Sequence, residues 1–208
     1  MAVLALICGG CAAGGAIAAT DSRDNPTVLV FGDSLSAGYG MASQEAWPAL
    51  LAQTLQAQPA TARWKVVNAS VSGETTHGGA TRLPAALALH HPQVVILELG
   101  GNDALRGQPL ENMQRELISM VRKIRQAGAR TLLVGIALPP NFGDDFTTAF
   151  AGVYTAVARS EHAPLVPNLV AALGTGREDF QADGIHPLPR VQNRLLQVVL
   201  PALKPLLR

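Results

Sequence analysis

Cysteine is nearly missing from this chain, and its placement limits what it can do. Both cysteines, Cys8 and Cys11, fall in the first nineteen residues, so the rest of the chain holds no thiol, no disulfide and no cysteine-based metal site. Stability must therefore come from packing. Charge is also sparse. Charged residues make up 15% of the chain, the formal net charge is +1, and Lys and Arg are scattered rather than gathered into a stripe. A polyanionic partner such as nucleic acid is not indicated, and the expected ligand is small. Aromatic residues are only 4%, so a pocket would have to be walled mainly by aliphatic side chains. There is no internal repeat and no Pro- or Ser-rich linker to divide the chain. With 208 residues and 48% hydrophobic composition, one domain with one sizeable core is expected.

The N-terminal stretch MAVLALICGGCAAGGAIAA carries no charge and contains the small-residue pattern Ala16-Ile17-Ala18. It reads as an export signal over residues 1–19, cut near Ala18 or Ala19, leaving a single domain over residues 20–208 in the periplasm or outside the cell. It lacks the usual basic n-region. A retained membrane-tethered form, or a lipoprotein signal at Cys8 or Cys11, stands as the alternative.

Beyond the leader, short β-rich apolar runs alternate with longer segments of helical period. The strand candidates are Thr27–Phe31, Trp64–Asn68, Val94–Leu99, Thr131–Ile136 and Leu165–Val166. The helix candidates are Glu45–Gln56, Gly79–Leu89, Leu110–Gln126, Phe146–Ser160 and Arg190–Leu203. In the third of these, Leu110, Met113, Leu117, Met120, Val121 and Ile124 share one face, Glu111, Arg115, Glu116, Arg122 and Lys123 share another, and Gly128 follows as a stop. Unbroken runs such as VVILEL fit strands covered on both faces, as in a parallel sheet between helices. The pattern predicts a three-layer α/β/α sandwich, with ligands beyond the carboxyl ends of the strands where the strand order reverses.

The chemistry-bearing residues lie where those strands should end. GDSLSAGYG follows the first, placing Ser34 among Gly32, Gly38 and Gly40, which let the backbone turn tightly. DGIHP precedes the last helix and sets Asp183 three residues before His186, so a carboxylate can reach the imidazole. Serine catalysis needs a hydroxyl, an imidazole to take its proton and a carboxylate to orient that imidazole, and Ser34, His186 and Asp183 are the candidates. Acyl transfer also needs donors for the developing oxyanion. NASVSGETT after the second strand offers the Gly73 amide, GGNDALRG after the third offers the Asn102 side chain, and Ser34 offers its own amide. Taken singly, each block also reads as an ordinary turn. Of the other histidines, His90 and His91 fit a helix end, His162 a polar turn, and His77 has only Glu74 as a nearby carboxylate. No serine stands in a Gly-x-Ser-x-Gly elbow.

Together, the four blocks in this order resemble the SGNH, or GDSL-type, hydrolase family. The intervening AWPALLAQ, TRLPAAL and LPPNFG are similar to its exported bacterial multifunctional branch of acyl-CoA thioesterase I, protease I, lysophospholipase L1 and arylesterase. The resemblance covers nearly the whole chain after the leader and is loosest over Arg159–Gln181. It implies a flavodoxin-like sheet of about five strands, catalytic Ser34, Asp183 and His186, an oxyanion hole of Ser34, Gly73 and Asn102, and neither metal nor cofactor.

The expected activity is hydrolysis of carboxylic esters and thioesters of lipophilic acyl groups through an acyl-enzyme on Ser34. The substrate is a small acyl ester or thioester, and no obligate protein partner is indicated. Leu35, Met41, Leu105, Leu138, Pro139 and Phe142 are the candidate pocket walls, although each also suits ordinary packing. A carbohydrate O-acetyl esterase on the same fold and a non-catalytic binding protein remain as alternatives. The latter would be expected to lack Ser34, Asn102 or His186.

Overall fold

Unbroken β-branched and aliphatic runs form strands most readily where a sheet is covered on both faces, because neither face then needs a polar residue. The computed structural model describes residues 25–174 and 176–208. Its strands are β1 (Thr27–Gly32), β2 (Lys65–Asn68), β3 (Val94–Glu98), β4 (Arg130–Val134) and β5 (Leu165–Val166), each within a residue or two of a predicted run. The export signal read over residues 1–19, and the domain start at residue 20, lie outside the described residues.

The five strands are all parallel and ordered β2-β1-β3-β4-β5. This is the flavodoxin-like order of a doubly wound sheet: the chain first steps from β1 to β2 on one side and then crosses to β3 on the other. Its switch point therefore lies between β1 and β3. Both strands are buried along their whole length, whereas β2, at the sheet edge, is exposed at its two ends.

The helices are α1 (Ser34–Ala37), α2 (Trp47–Gln56), α3 (Thr76–His90), α4 (Gly101–Leu105), α5 (Leu110–Gln126), α6 (Asp144–Glu161) and α7 (Gln192–Leu203). α3 packs on α5 and α5 on α6, while α2 packs on α7, so two helical layers enclose the sheet. α5 buries Met113, Leu117, Met120, Val121 and Ile124 and ends before Gly128, as its periodicity predicts.

Several boundaries differ from the sequence expectation for local reasons. α3 starts at Thr76, ahead of its two glycines, because the Thr75 hydroxyl caps it by accepting from the Gly78 amide at 3.2 Å. α2 starts at Trp47 with Pro48 in its first turn, and Ser43–Glu45 forms a separate tight turn. α7 starts at Gln192, after a turn over Pro189–Val191; the buried Gln192 Oε1 accepts from the Trp47 amide at 3.0 Å and ties α7 to α2. The short α1 and α4 were not predicted. No described helix is long and apolar enough to cross a membrane.

Candidate active site

Ser34 opens α1 at the carboxyl end of β1. The preceding Asp33 is buried and caps that helix: its Oδ1 accepts from the Leu35 amide at 3.0 Å. The serine side chain is half-buried, and Leu35 turns inward into the core. Leu35 is therefore a core residue rather than a wall of the pocket.

From the far end of the chain, the segment before α7 brings His186 to Ser34. Phe180 bridges Pro187 in antiparallel fashion, the Gln181 amide donates to the His186 carbonyl at 2.8 Å, and Gln181 Nε2 donates to the Tyr39 carbonyl at 2.7 Å. The buried Asp179 anchors the base of this loop, pairing with Arg194 of α7 at 2.5 Å. His186 Nε2 then lies 2.8 Å from Ser34 Oγ, and His186 Nδ1 lies 2.7 Å from Asp183 Oδ2.

An ionised carboxylate can only accept, so Nδ1 carries the hydrogen toward Asp183 and Nε2 is left to accept from the serine hydroxyl. Burial pushes the Asp183 carboxyl up, but hydrogen bonds from the His186 ring and from the Ile185 and His186 amides outweigh it and hold the group down at about 2. The Tyr39 ring leans over the imidazole with centroids 4.5 Å apart.

The next two loops carry further hydrogen-bond donors. After β2, the chain runs along the end of β1: the Ala69 and Val71 amides donate to the Val30 and Gly32 carbonyls at 2.8 and 3.0 Å. Arg82 of α3 braces this loop, donating to the Ala69 carbonyl at 2.7 Å and to Glu74 at 2.9 Å while stacking 4.1 Å from the Phe31 ring. The loop turns at Gly73, whose φ of 79° belongs to the left-handed region, and the Gly73 carbonyl accepts from Arg106 at 2.9 Å. Neither the Gly73 nor the Ser34 amide has an acceptor among the described residues. After β3, α4 carries Asn102, whose Nδ2 donates one hydrogen to Asp33 Oδ2 at 3.0 Å and keeps the other. The adjacent Asp103 is buried and accepts from the Thr76 amide at 2.8 Å and the Thr76 hydroxyl at 2.5 Å, joining α4 to the start of α3.

Two acids beneath the nucleophile were missed in the sequence. Asp33 passed as part of a turn and Glu98 as part of an apolar run. Glu98 is completely buried at the end of β3; its Oε2 accepts from Ser36 Oγ at 2.6 Å and faces the Asp33 amide at 3.4 Å. Burial raises both groups, with the Asp33 charge adding to the effect on Glu98: Asp33 reaches about 6 and Glu98 goes well above the carboxylate range. Gly32 is glycine because of this acid, since a Cβ there would lie 2.6 Å from Glu98 Oε2.

The remaining pocket candidates separate by exposure. Leu105 of α4 is exposed, Met41 is half-buried beside Gly38, and Leu138, Pro139 and Phe142 lie half-buried in the loop after β4, with the Phe142 ring stacked on Phe146 at 6.0 Å. The exposed Tyr39 and Val71 also stand in the site loops and were not among the candidates. His77 meets Glu116 at 3.3 Å, and His91 and His162 cap α3 and α6 in left-handed conformation. Among the described residues, no group of three or more His, Cys, Asp or Glu is arranged to hold a metal ion.

A serine, an imidazole and a carboxylate in one hydrogen-bonded line, with amide donors from successive loops, is an arrangement suited to acyl transfer. Residues 30–193 match the model of the GDSL-like Lipase/Acylhydrolase family. The chain belongs to that family. Among curated proteins, it is 46% identical to Esterase TesA of Pseudomonas aeruginosa over 98% of this chain and 99% of that one. It is 39% identical to Thioesterase 1/protease 1/lysophospholipase L1 of Escherichia coli over 86% of this chain and 84% of that one. Among solved structures, the crystal structure of TesA superposes with a TM-score of 0.83 at 48% identity, over 86% of this chain and 99% of that one. The GDSL-like relatives thus share the sheet as well as the sequence.

Proposed function

We propose that this protein is a serine esterase acting on esters and thioesters of lipophilic acyl groups. Ser34 Oγ attacks the substrate carbonyl while its proton passes to His186 Nε2, and Asp183 stabilises the imidazolium that forms. The Ser34 and Gly73 amides and the free Asn102 hydrogen receive the negative charge on the carbonyl oxygen. His186 returns the proton to the departing alkoxide or thiolate. Water then attacks the acyl carbon as it loses a proton to His186, and the bond to Ser34 breaks as His186 returns that proton to Ser34 Oγ, releasing the acid.

The observation that carries this reading is the unbroken line from Ser34 through His186 to Asp183, at 2.8 and 2.7 Å. The names of the relatives, Esterase TesA and Thioesterase 1/protease 1/lysophospholipase L1, agree with it. The lipophilic substrate class is supported by the exposed apolar side chains of Tyr39, Val71 and Leu105, one on each of the three site loops. Replacing Ser34 with Ala should cost about 10⁶ in turnover of a p-nitrophenyl ester, with the circular dichroism unchanged. A folded S34A protein that still turns over the ester would remove the assignment.

A second reading, hydrolysis of O-acetyl groups on a carbohydrate, is favoured by one observation. A polar cleft of about 470 Å³ opens beside the oxyanion loops, lined by Thr75, Thr76, His77, Arg106, Asn112 and Arg115 among others. Comparing p-nitrophenyl esters of increasing chain length, an acyl-CoA, a lysophospholipid and an acetylated sugar decides between the two. Preference for the sugar would overturn the lipophilic assignment.

A further inference from the structure

We propose that Asp33 is a positioning residue for the oxyanion: it selects the orientation of the Asn102 amide in which nitrogen, not oxygen, faces the reacting carbonyl. This rests on the reading of Asn102 as an oxyanion donor. A primary amide is nearly symmetric in shape, and a flip about its last torsion exchanges a donor for an acceptor. Against water or a hydroxyl, which both donate and accept, either orientation is tolerated. In the flipped state, an oxygen lone pair would meet the oxyanion and repel it. Only a partner that accepts and cannot donate excludes the flip, and an ionised carboxylate is such a partner.

The structure supplies that partner in a fixed place. Asp33 Oδ1 is held by the Leu35 amide at 3.0 Å, which leaves Oδ2 aimed at Asn102 Nδ2 at 3.0 Å. Burial of Asp33, only 2% exposed, keeps water from competing for Oδ2.

Asp33 must carry charge to act in this way, although a buried carboxyl prefers its proton. Glu98 resolves this. Its carboxyl faces the Asp33 amide at 3.4 Å and is more deeply buried, and its Oε1 has no hydrogen-bond partner among the described residues. Two charges in that space would repel, so one proton stays in the pair. It sits on Glu98, the more deeply buried of the two, whose donors both fall on Oε2, and the charge stays on Asp33, each of whose oxygens accepts from a donor. Burial raises both groups, and the charge on Asp33 raises Glu98 further.

A purely structural role for Asp33, as the cap of α1, predicts different behaviour, and two variants separate the roles. Asp33→Ser keeps a capping oxygen for Leu35 but has nothing at the Oδ2 position. Asp33→Asn keeps the cap but sets an amide against Asn102 and favours the flipped state. Both should lower kcat by about 10²-fold or more while leaving KM within roughly twofold, the pattern of an interaction made only in the transition state. In an Asn102→Ala background, the same changes should alter kcat by less than about threefold, because the group they act through is gone.

Wild-type kcat in folded D33S or D33N overturns the proposal. So do losses that multiply with N102A, which would mean that Asp33 acts elsewhere, for example through its charge on His186. If N102A alone leaves kcat unchanged, the oxyanion reading of Asn102 fails first and takes this proposal with it. Should D33N not fold, D33S, with serine as a favoured cap, carries the same comparison.

Discussion

At the scale of single residues, the site contains carboxyls that answer to pH in opposite senses. Asp183 is held at about 2 by its hydrogen bonds, so its contribution to stability is full above the ordinary carboxylate range and is lost as pH falls toward 2; being partly exposed, it contributes little. Asp33, lifted to about 6 mainly by burial, does the reverse. The folded protein binds its proton more tightly than the unfolded chain, so the associated stability is full below about pH 4 and disappears as pH rises through 6. Glu98, Asp103 and His186 face the same carboxyl, and Asn102 and Leu35 donate to it. Replacing Asp33 with Ser removes the liability. The stability of D33S relative to the parent should rise between pH 4 and pH 7, by up to about 3 kcal/mol. Thermal unfolding at four pH values measures it, and a difference that stays flat with pH would show that the Asp33 carboxyl is not raised.

At the scale of elements, the outer layers are joined by polar contacts as well as by apolar faces. Glu161, at the end of α6, is buried and receives Arg122 at 2.8 Å and Arg125 at 3.1 Å, both from the last turns of α5. Chiefly the Arg122 hydrogen bond, partly opposed by burial, lowers its carboxyl. Glu161→Gln keeps the shape and removes the charge. It should cost about 1–2 kcal/mol, at the low end for a charged hydrogen bond because both arginines are half-exposed. Urea titration would detect this as a shift in midpoint, and no shift would mean that the pair is solvated in solution.

Elements also mark what the sequence can and cannot disclose. β3 and α5 were legible because their burial writes a pattern over many residues: a continuous apolar run in one, a stripe at helical spacing in the other. Ser34, Gly73 and Asn102 were legible as blocks placed after strands, and Asp183 and His186 as a block placed before the last helix. α1 and α4 were not, since four or five residues span too little of a helix to show a period. Nor did anything local mark Glu98 as a buried acid, Arg82 as the brace of the Gly73 loop, or Tyr39 as the neighbour of His186. Those roles come from contacts between residues distant in sequence.

At the scale of the whole molecule, the strand order gathers these loops. Because the chain reverses direction across the sheet at β1, the segments following β1, β2 and β3 emerge side by side, and the loop before α7 closes over them. The nucleophile and its base are 152 positions apart. That separation has a kinetic consequence. Their contact closes a loop through nearly the entire described domain, and contacts of such long range carry the greatest entropic cost before they form. Catalysis therefore serves as a clock for the last stage of folding. In refolding from denaturant, the fluorescence of the buried Trp47 and Trp64 should recover no later than esterase activity. Activity that returns ahead of the tryptophan signal would mean that the two ends of the chain meet before the core between them has set.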